Sequence, residues 1–275
     1  MLAARLRMLS IPHLIIDQND RIGDNWRKRY HQLVLHDPIW YDQMPYVPFP
    51  PHWPVFTAKD KLAEWFECYA KILELNIWMR STVGTCEWDG GSKVWKVKVL
   101  RRKDGDGEGK AGEGKGGEEK EEERTFEVKH VVLATGHSGK ANFPSHIPGI
   151  SSFEGDRLCH SSMFSGASLH GHNKHAVIVG CCNSGHDIAQ DFVEKGYKSV
   201  TMVQRSTTCV LSSKECVKGL EGAYDDDHPD TEESDILLHG TPSRVLKAKH
   251  VQQTKRQAEG DKAILEGNFS IPWLR

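Results

Sequence analysis

The sequence predicts an α/β protein with two Rossmann-like dinucleotide-binding units and a small antiparallel β insertion between them. Three observations carry this prediction. Short, largely apolar runs at residues 14–17, 131–133, 176–179 and 199–203 have the length of strands buried in a parallel sheet. A glycine-bracketed turn, Gly180-Cys181-Cys182-Asn183-Ser184-Gly185, follows the third run and opens an amphipathic stretch. Between the two halves the apolar period drops to two: Trp95, Val97 and Val99 alternate with Lys96 and Lys98, as on a half-exposed antiparallel strand.

The elements follow in order. Leu2, Leu6 and Leu9 fall on one helical face, and Pro12 ends that helix because its ring excludes a further turn. His13-Leu14-Ile15-Ile16 then reads as a buried strand closing on Asp17. A helix running into a strand is core architecture, which outweighs reading Arg5 and Arg7 as part of a targeting segment. Residues 27–56 are rich in aromatics and prolines (Trp40-Tyr41, Pro45-Tyr46, Phe49-Pro50-Pro51, Trp53-Pro54) and predict a packed, irregular loop. A helix comes next, opened by a capping-box-like Thr57 and Asp60. Its Leu62, Trp65, Phe66, Tyr69, Ile72 and Leu73 repeat at helical spacing and are read as core.

The Trp95–Val99 strand pairs with residues 125–128 across an interruption, 103–124, made almost wholly of Gly, Lys, Asp and Glu. Such a stretch has little apolar surface to bury, so a disordered hairpin tip is expected. Residues 131–133 form a buried strand ending at Ala134-Thr135-Gly136. A strand at 176–179, a helix at 184–195 and a strand at 199–203 complete the second βαβ unit. Beyond Cys209 the pattern weakens, and Asp225-Asp226-Asp227 through Ser234 reads as a surface loop.

Composition bounds the function. With 38% hydrophobic and 8% aromatic residues, the chain is globular in character. A formal charge of −2 and a pI near 6.7 argue against a nucleic-acid binder or a polybasic membrane binder. No run of about 18 apolar residues marks a transmembrane helix. Seven cysteines (68, 86, 159, 181, 182, 209, 216) without a CxxC fit neither a disulfide framework nor a zinc site, and no metal site is expected. Most are read as small buried residues in a reducing, cytoplasmic setting.

The turn at 180–185 has a physical rationale for a nucleotide. Gly180 permits the tight turn, and Gly185 permits close packing of helix on strand. The helix N-terminus, at Asn183 and Ser184, offers N–H groups to a pyrophosphate. Cys182 stands where a glycine would let the backbone approach the phosphates most closely; an ordinary βα turn is the alternative. Gln204-Arg205 ends the next strand about 20 residues on, at the position that reads the ribose. An acid there suits NADH, whereas an arginine can pair with the 2′-phosphate of NADPH. Asp17, ending an earlier strand, can accept from ribose hydroxyls or simply form a turn.

Taken together, five segments resemble the flavin-containing monooxygenases. Asp17-Gln-Asn-Asp-Arg-Ile-Gly23-Asp24-Asn-Trp26 is similar to the acid…GGxW segment, with Gly23 and Trp26 kept and Asp24 in place of the second glycine. Residues 30–38 and 48–59 look like the segments that follow. Ala134-Thr135-Gly136 resembles the ATG element that contacts the flavin. Residues 153–164 are similar to FxGxxxH, with one extra residue before His160. Gly180 to Gly185 resembles GxGNSG of the NADPH site. The likeness covers residues 1 to about 215, nearest to the fungal branch and the plant auxin-forming enzymes. It implies a flavin half at 1–150 and an NADPH half at 151–275. The strand and GxGxxG turn that would hold the FAD pyrophosphate are not found ahead of Asp17, and the resemblance implies a chain shortened at both ends.

The activity so implied is oxygen transfer. NADPH reduces FAD, the reduced flavin takes O₂, and one oxygen atom passes to a small organic substrate, be it an amine, sulfide, ketone or arylpyruvate. His36 is the candidate for a flavin-side role, against a structural one, and His160 is a candidate link between the halves. Two rivals stand beside this reading. A pyridine-nucleotide disulfide reductase needs a redox dithiol, which the lack of CxxC disfavours; a non-catalytic remnant would keep only the NADPH-binding unit.

Overall fold

A computed structural model describes residues 1–103, 120–136, 140–171, 173–205, 208, 210, 212–224 and 230–265. In chain order these form α1 (Leu2–Met8), β1 (Ile15–Ile16), α2 (Asp24–Arg27), α3 (Lys59–Ile72), β2 (Ile77–Trp78), β3 (Ser81–Asp89), β4 (Val94–Lys103), β5 (Lys120–Val128), β6 (His175–Val179), α4 (Asn183–Glu194), β7 (Ser199–Val203), α5 (Ser213–Lys218), α6 (Thr231–Gly240) and α7 (Ser243–Leu265). β1 pairs with β2 in parallel, β3-β4-β5 make an antiparallel sheet, and β6 pairs with β7 in parallel. Two parallel pairs with an antiparallel sheet between them in the chain give the predicted α/β class. Contacts gather the chain into two units, Met1–His36 with Met44–Gln204 and Asp37–Gln43 with Arg205–Arg275.

In the first unit, α3 buries Leu62, Ala63, Trp65, Tyr69 and Ala70 along one stripe. The proline-rich loop covers it: the Phe49 ring lies 4.2 Å from that of Trp65, and the Tyr69 hydroxyl donates to the Pro45 carbonyl. The expected capping pair does not form. Thr57 is buried and its hydroxyl donates to the Pro54 carbonyl, so the loop takes the group that would have capped the helix and Ala58 becomes the N-cap. The leucine face expected on α1 is not buried either. Leu2 and Leu9 are exposed, and this seven-residue helix packs through Ala4, whose small side chain allows close approach.

The antiparallel sheet extends further than its apolar residues indicate. Val97 and Val99 are buried, and the β4–β5 register runs from Trp95↔Val128 to Lys103↔Lys120. Residues 120–124, expected within the interruption, are therefore strand. The reason is charge: Arg101 faces Glu122, Arg102 faces Glu121, and Lys98 lies 3.4 Å from Glu123. The rest of the expected hairpin tip, 104–119, lies outside the described residues.

A second correction concerns residues 131–133. They join no strand among the described residues, and Leu133 is 85% exposed. A buried parallel strand needs ladder partners and cover on both faces, and none of the described strands pairs with this run. β6 and β7 behave as predicted on one face only. Ala176, Ile178, Val200 and Met202 lie on the more buried face, and both strands contact α4, while Val177, Val179 and Val203 alternate onto an exposed face.

The second unit is helical. Residues 231–234, expected as loop, begin α6, whose Glu232 and Glu233 complement the positive end of the helix. The Tyr224 hydroxyl donates to Asp235 over 2.7 Å, and its ring meets Tyr41 edge-to-face at 5.1 Å. The cysteines differ from expectation as well. Cys68, Cys86, Cys159 and Cys182 are exposed, Cys181 and Cys216 half-buried, and none of these six forms a disulfide.

Candidate functional site

The 180–185 turn is built as its glycines require. Gly180 sits at φ +118°, a conformation L side chains rarely adopt, and its N–H donates to the Val203 carbonyl at the end of β7. A Cβ added at Gly185 would lie 2.8 Å from the Gly180 carbonyl oxygen, so only glycine lets α4 start this close to the strand. Cys182, the N-cap, has an ordinary extended backbone, φ −80° and ψ 177°, and its carbonyl accepts from Gly185 and His186. A cysteine therefore fits here without strain. The 12-residue α4 presents its first-turn N–H groups and positive dipole end at this turn.

Beside the turn lies a cluster that sequence reasoning missed. The Tyr30 hydroxyl donates to Asp187 Oδ2 over 2.7 Å, and His36 Nε2 lies 3.1 Å from the same oxygen. Asn183 Nδ2 meets His36 Nδ1 at 2.9 Å. Burial opposes charge on Asp187, but hydrogen bonds from His36 and Tyr30 outweigh it and hold the carboxyl below its ordinary range. The same burial, with Asp187 alongside, raises the Tyr30 hydroxyl well above the tyrosine range. One turn along α4, buried Asp191 accepts from Gln32 Nε2 at 2.6 Å and from the Ala167 N–H at 2.7 Å. Under these carboxylates Tyr30, Leu33, Phe164, Ala167 and Ile188 form a core on which Trp26, Ile178, Phe192 and Tyr197 pack. The available signal was the spacing of Asp187 and Asp191, an i,i+4 acid pair beside the apolar Ile188 and Phe192.

The remaining predicted residues are placed as follows. Asp17 Oδ1 accepts from the Asn19 N–H and side-chain amide, an Asx turn. Gly23, at φ +88°, is where α2 meets α3; a Cβ there would lie 2.6 Å from the Ala63 carbonyl oxygen. Trp26 packs on the core just described. Ala134 and Thr135 are exposed, and Gly136, also exposed, takes φ +74° with open space around it. Gln204 and Arg205 are exposed past the end of β7. His160 Nδ1 accepts from the Ser162 N–H and so caps the local turn Ser161–Met163. The structure thus brings His36 to the 180–185 turn through Asn183. Among the described residues no group of three His, Cys, Asp or Glu could hold a metal ion, and no helix is long and apolar enough to cross a membrane.

Comparison with known proteins identifies the family. The family profile described as flavin-binding monooxygenase-like matches residues 41–220, more than half the chain. The chain belongs to this family of oxidoreductases. It is 29% identical over 210 residues to a probable indole-3-pyruvate monooxygenase, YUCCA8, of Arabidopsis thaliana, covering 76% of this chain and 45% of that protein. It thus spans less than half the length of the curated relatives it matches. Among solved structures, the bacillithiol disulfide reductase Bdr of Bacillus cereus aligns with a TM-score of 0.59 at 17% identity, over 80% of this chain and 60% of that one. A structure of OTEMO in complex with FAD and NADP aligns with a TM-score of 0.55 at 19% identity, over 81% of this chain and 41% of that one. At such identities these two show the fold alone.

Proposed function

We propose that this chain carries the nicotinamide-nucleotide site of an FAD- and NADPH-dependent monooxygenase that transfers one oxygen atom from O₂ to a small organic substrate. The observation that carries the reading is the Gly180–Gly185 pair: one glycine at a φ that side chains rarely adopt, the other with a backbone oxygen where its Cβ would be. Together they bring a helix N-terminus to the end of a parallel strand, which is the geometry a pyrophosphate needs. The residues present fit that group. Gly180, Cys182, Asn183, Ser184 and Gly185 would hold the pyrophosphate end, with Gln204 and Arg205 at the ribose.

For the flavin, Asp17, Gly23, Trp26 and Ala134-Thr135-Gly136 are the residues assigned by resemblance; Gly136 leaves open space for a close approach. Bound flavin would supply the oxygen chemistry, and the protein orients the partners and excludes water. We place residues 1–150 with the flavin half and 151–275 with the nucleotide half, in a cytoplasmic protein; the six described cysteines form no disulfide, which accords with a reducing compartment. The plant relative is named for indole-3-pyruvate, which puts an arylpyruvate first for assay, ahead of amines, sulfides and ketones.

The test is NADPH binding to the 275-residue chain by intrinsic fluorescence, for wild type and Gly185→Ala. Saturable binding weakened at least tenfold in the variant is expected. Absence of binding by wild type, or equal affinities in two folded proteins, overturns the assignment.

A further inference from the structure

The Tyr30–Asp187–His36–Asn183 chain fixes more than packing. A carboxylate oxygen only accepts, so His36 Nε2 must carry the proton that it gives Asp187 Oδ2 at 3.1 Å. An amide nitrogen only donates, so His36 Nδ1 must be the unprotonated nitrogen that accepts from Asn183 Nδ2 at 2.9 Å. Both contacts are satisfied by one tautomer, neutral with the proton on Nε2. Asp187 selects that tautomer, and Tyr30 holds Asp187 by donating to the same oxygen. With Nδ2 given to His36, Asn183 offers its carbonyl Oδ1, an acceptor, as the first residue of α4 beside the glycine turn.

We infer that His36 is a positioning residue that orients the Asn183 amide, so that the turn presents a hydrogen-bond acceptor to a donor group of the bound nucleotide, such as a ribose hydroxyl. The inference rests on the nucleotide reading above. A proton added at His36 Nδ1 turns that nitrogen into a donor facing the Asn183 amide nitrogen. The amide must then rotate and present its NH₂ where the acceptor was. The titratable and charged groups recorded around this chain of contacts are Asp187 and His186 on α4, and Tyr30 and Arg29 on the segment before His36. Among the described residues, His36 is the one that joins Asp187 to the amide.

The experiment compares NADP⁺ dissociation constants at pH 8.0 and pH 5.5, at one ionic strength, for wild type and His36→Asn. The asparagine oxygen can accept from Asn183 as Nδ1 does and does not titrate. The 2′-phosphate of the nucleotide titrates in the same range but is common to both proteins, so the ratio of their constants is read. Wild type should weaken about tenfold more than His36→Asn at the lower pH, as expected for one lost hydrogen bond and one opposed donor. Any offset between the two at pH 8.0 cancels, because the ratio is followed across pH. A ratio that does not change with pH overturns the inference. So does tighter wild-type binding at pH 5.5, which marks His36 as a simple cation beside the phosphates.

A second measurement does not depend on nucleotide. Long-range proton–nitrogen correlation of the His36 ring should show the Nε2–H tautomer at pH 8.0, and Asp187→Asn should shift it toward Nδ1–H. An Nδ1–H ring in wild type overturns the inference whether or not NADP⁺ binds. An Nε2–H ring with no NADP⁺ binding at either pH sinks the nucleotide reading, and with it the claim that the oriented amide faces a nucleotide.

Discussion

Tyr30 donates its hydroxyl to Asp187 across 2.7 Å, joining two residues 157 positions apart in sequence. Tyr30 is buried and its ring belongs to the core, so Tyr30→Phe removes one oxygen and leaves the packing. A part-buried carboxylate that loses a donor of this kind costs on the order of 1–2 kcal/mol. The thermal midpoint of Tyr30→Phe should fall by roughly 2–6 °C. An unchanged midpoint would mean that water replaces the hydroxyl at no cost.

The glycines rank themselves. Gly23→Ala combines φ +88° with a Cβ 2.6 Å from a backbone oxygen, and Gly185→Ala places one at 2.8 Å. In neither case is the obstructing atom the end of a flexible side chain, so each substitution should cost about 1–3 kcal/mol or more. Gly84→Ala is the control, because its nearest new contact is ordinary at 3.7 Å. Chemical denaturation of the three variants should place Gly84→Ala within about 0.5 kcal/mol of wild type and the other two clearly below it.

Register fixes what can be cut from the acidic, glycine-rich stretch. Lys103 pairs with Lys120, so replacing 104–119 by Asn-Gly keeps every β4–β5 pair and supplies a two-residue hairpin turn. Little change in midpoint is expected. Removing 103–124 instead deletes half of β5, including the partners of Val99 and Arg101, and a fall of several degrees should follow. Equal midpoints for the two deletions would show that the pairs beyond Val99 contribute nothing.

Asp42, in the second unit, is half-buried, with its carboxyl Oδ2 shielded from solvent and unbonded among the described residues. Burial, then the nearby Asp37, push its pKa up to about 6 from the ordinary 3.8. A folded-state pKa above the unfolded one gives stability that is complete below about pH 3.8 and is lost as pH rises through about 6. Asp42→Asn removes this dependence. The variant should gain on the order of 1 kcal/mol over wild type above about pH 6, discounted for partial exposure, and the advantage should vanish toward pH 4. Midpoints of both proteins from pH 4 to 7.5 decide it; a constant difference across that window would rule Asp42 out as the group responsible.

If Arg205 reads the 2′-phosphate, Arg205→Ala should weaken NADPH roughly 10- to 150-fold and leave NADH nearly untouched. The pyrophosphate of both cofactors would still meet the glycine turn. Equal losses for the two cofactors would make Arg205 structural.

What could be read in the sequence were features set by residues next to one another. β7 was bounded correctly, and β6 and α4 to within a residue at each end, because an apolar run, two obligatory glycines and a helical period are local signals. The roles of Gly180 and Gly185 followed for the same reason. Asp187 lies two residues beyond the glycine turn, but its pairing with Tyr30 and His36 depends on tertiary folding. Residues 131–133 failed in the opposite way: a local pattern specifies burial, and the described neighbours do not provide it. In β5 the pairing at 120–124 came from cross-strand charge, which no apolar period records.

Asp187 and Asp191 also constrain chain length. They stand four residues apart on one face of α4, about one helical pitch, and between them they hold Tyr30, Gln32 and His36. One residue inserted between Tyr30 and His36 cannot keep all three on their acceptors, and a displaced partner leaves a carboxylate short of a donor. The exposed turn between β3 and β4, at 90–93, carries no such constraint. Among variants of this chain, insertions and deletions should therefore collect in that turn and be absent from residues 30–36, even where the side chains of 30–36 change.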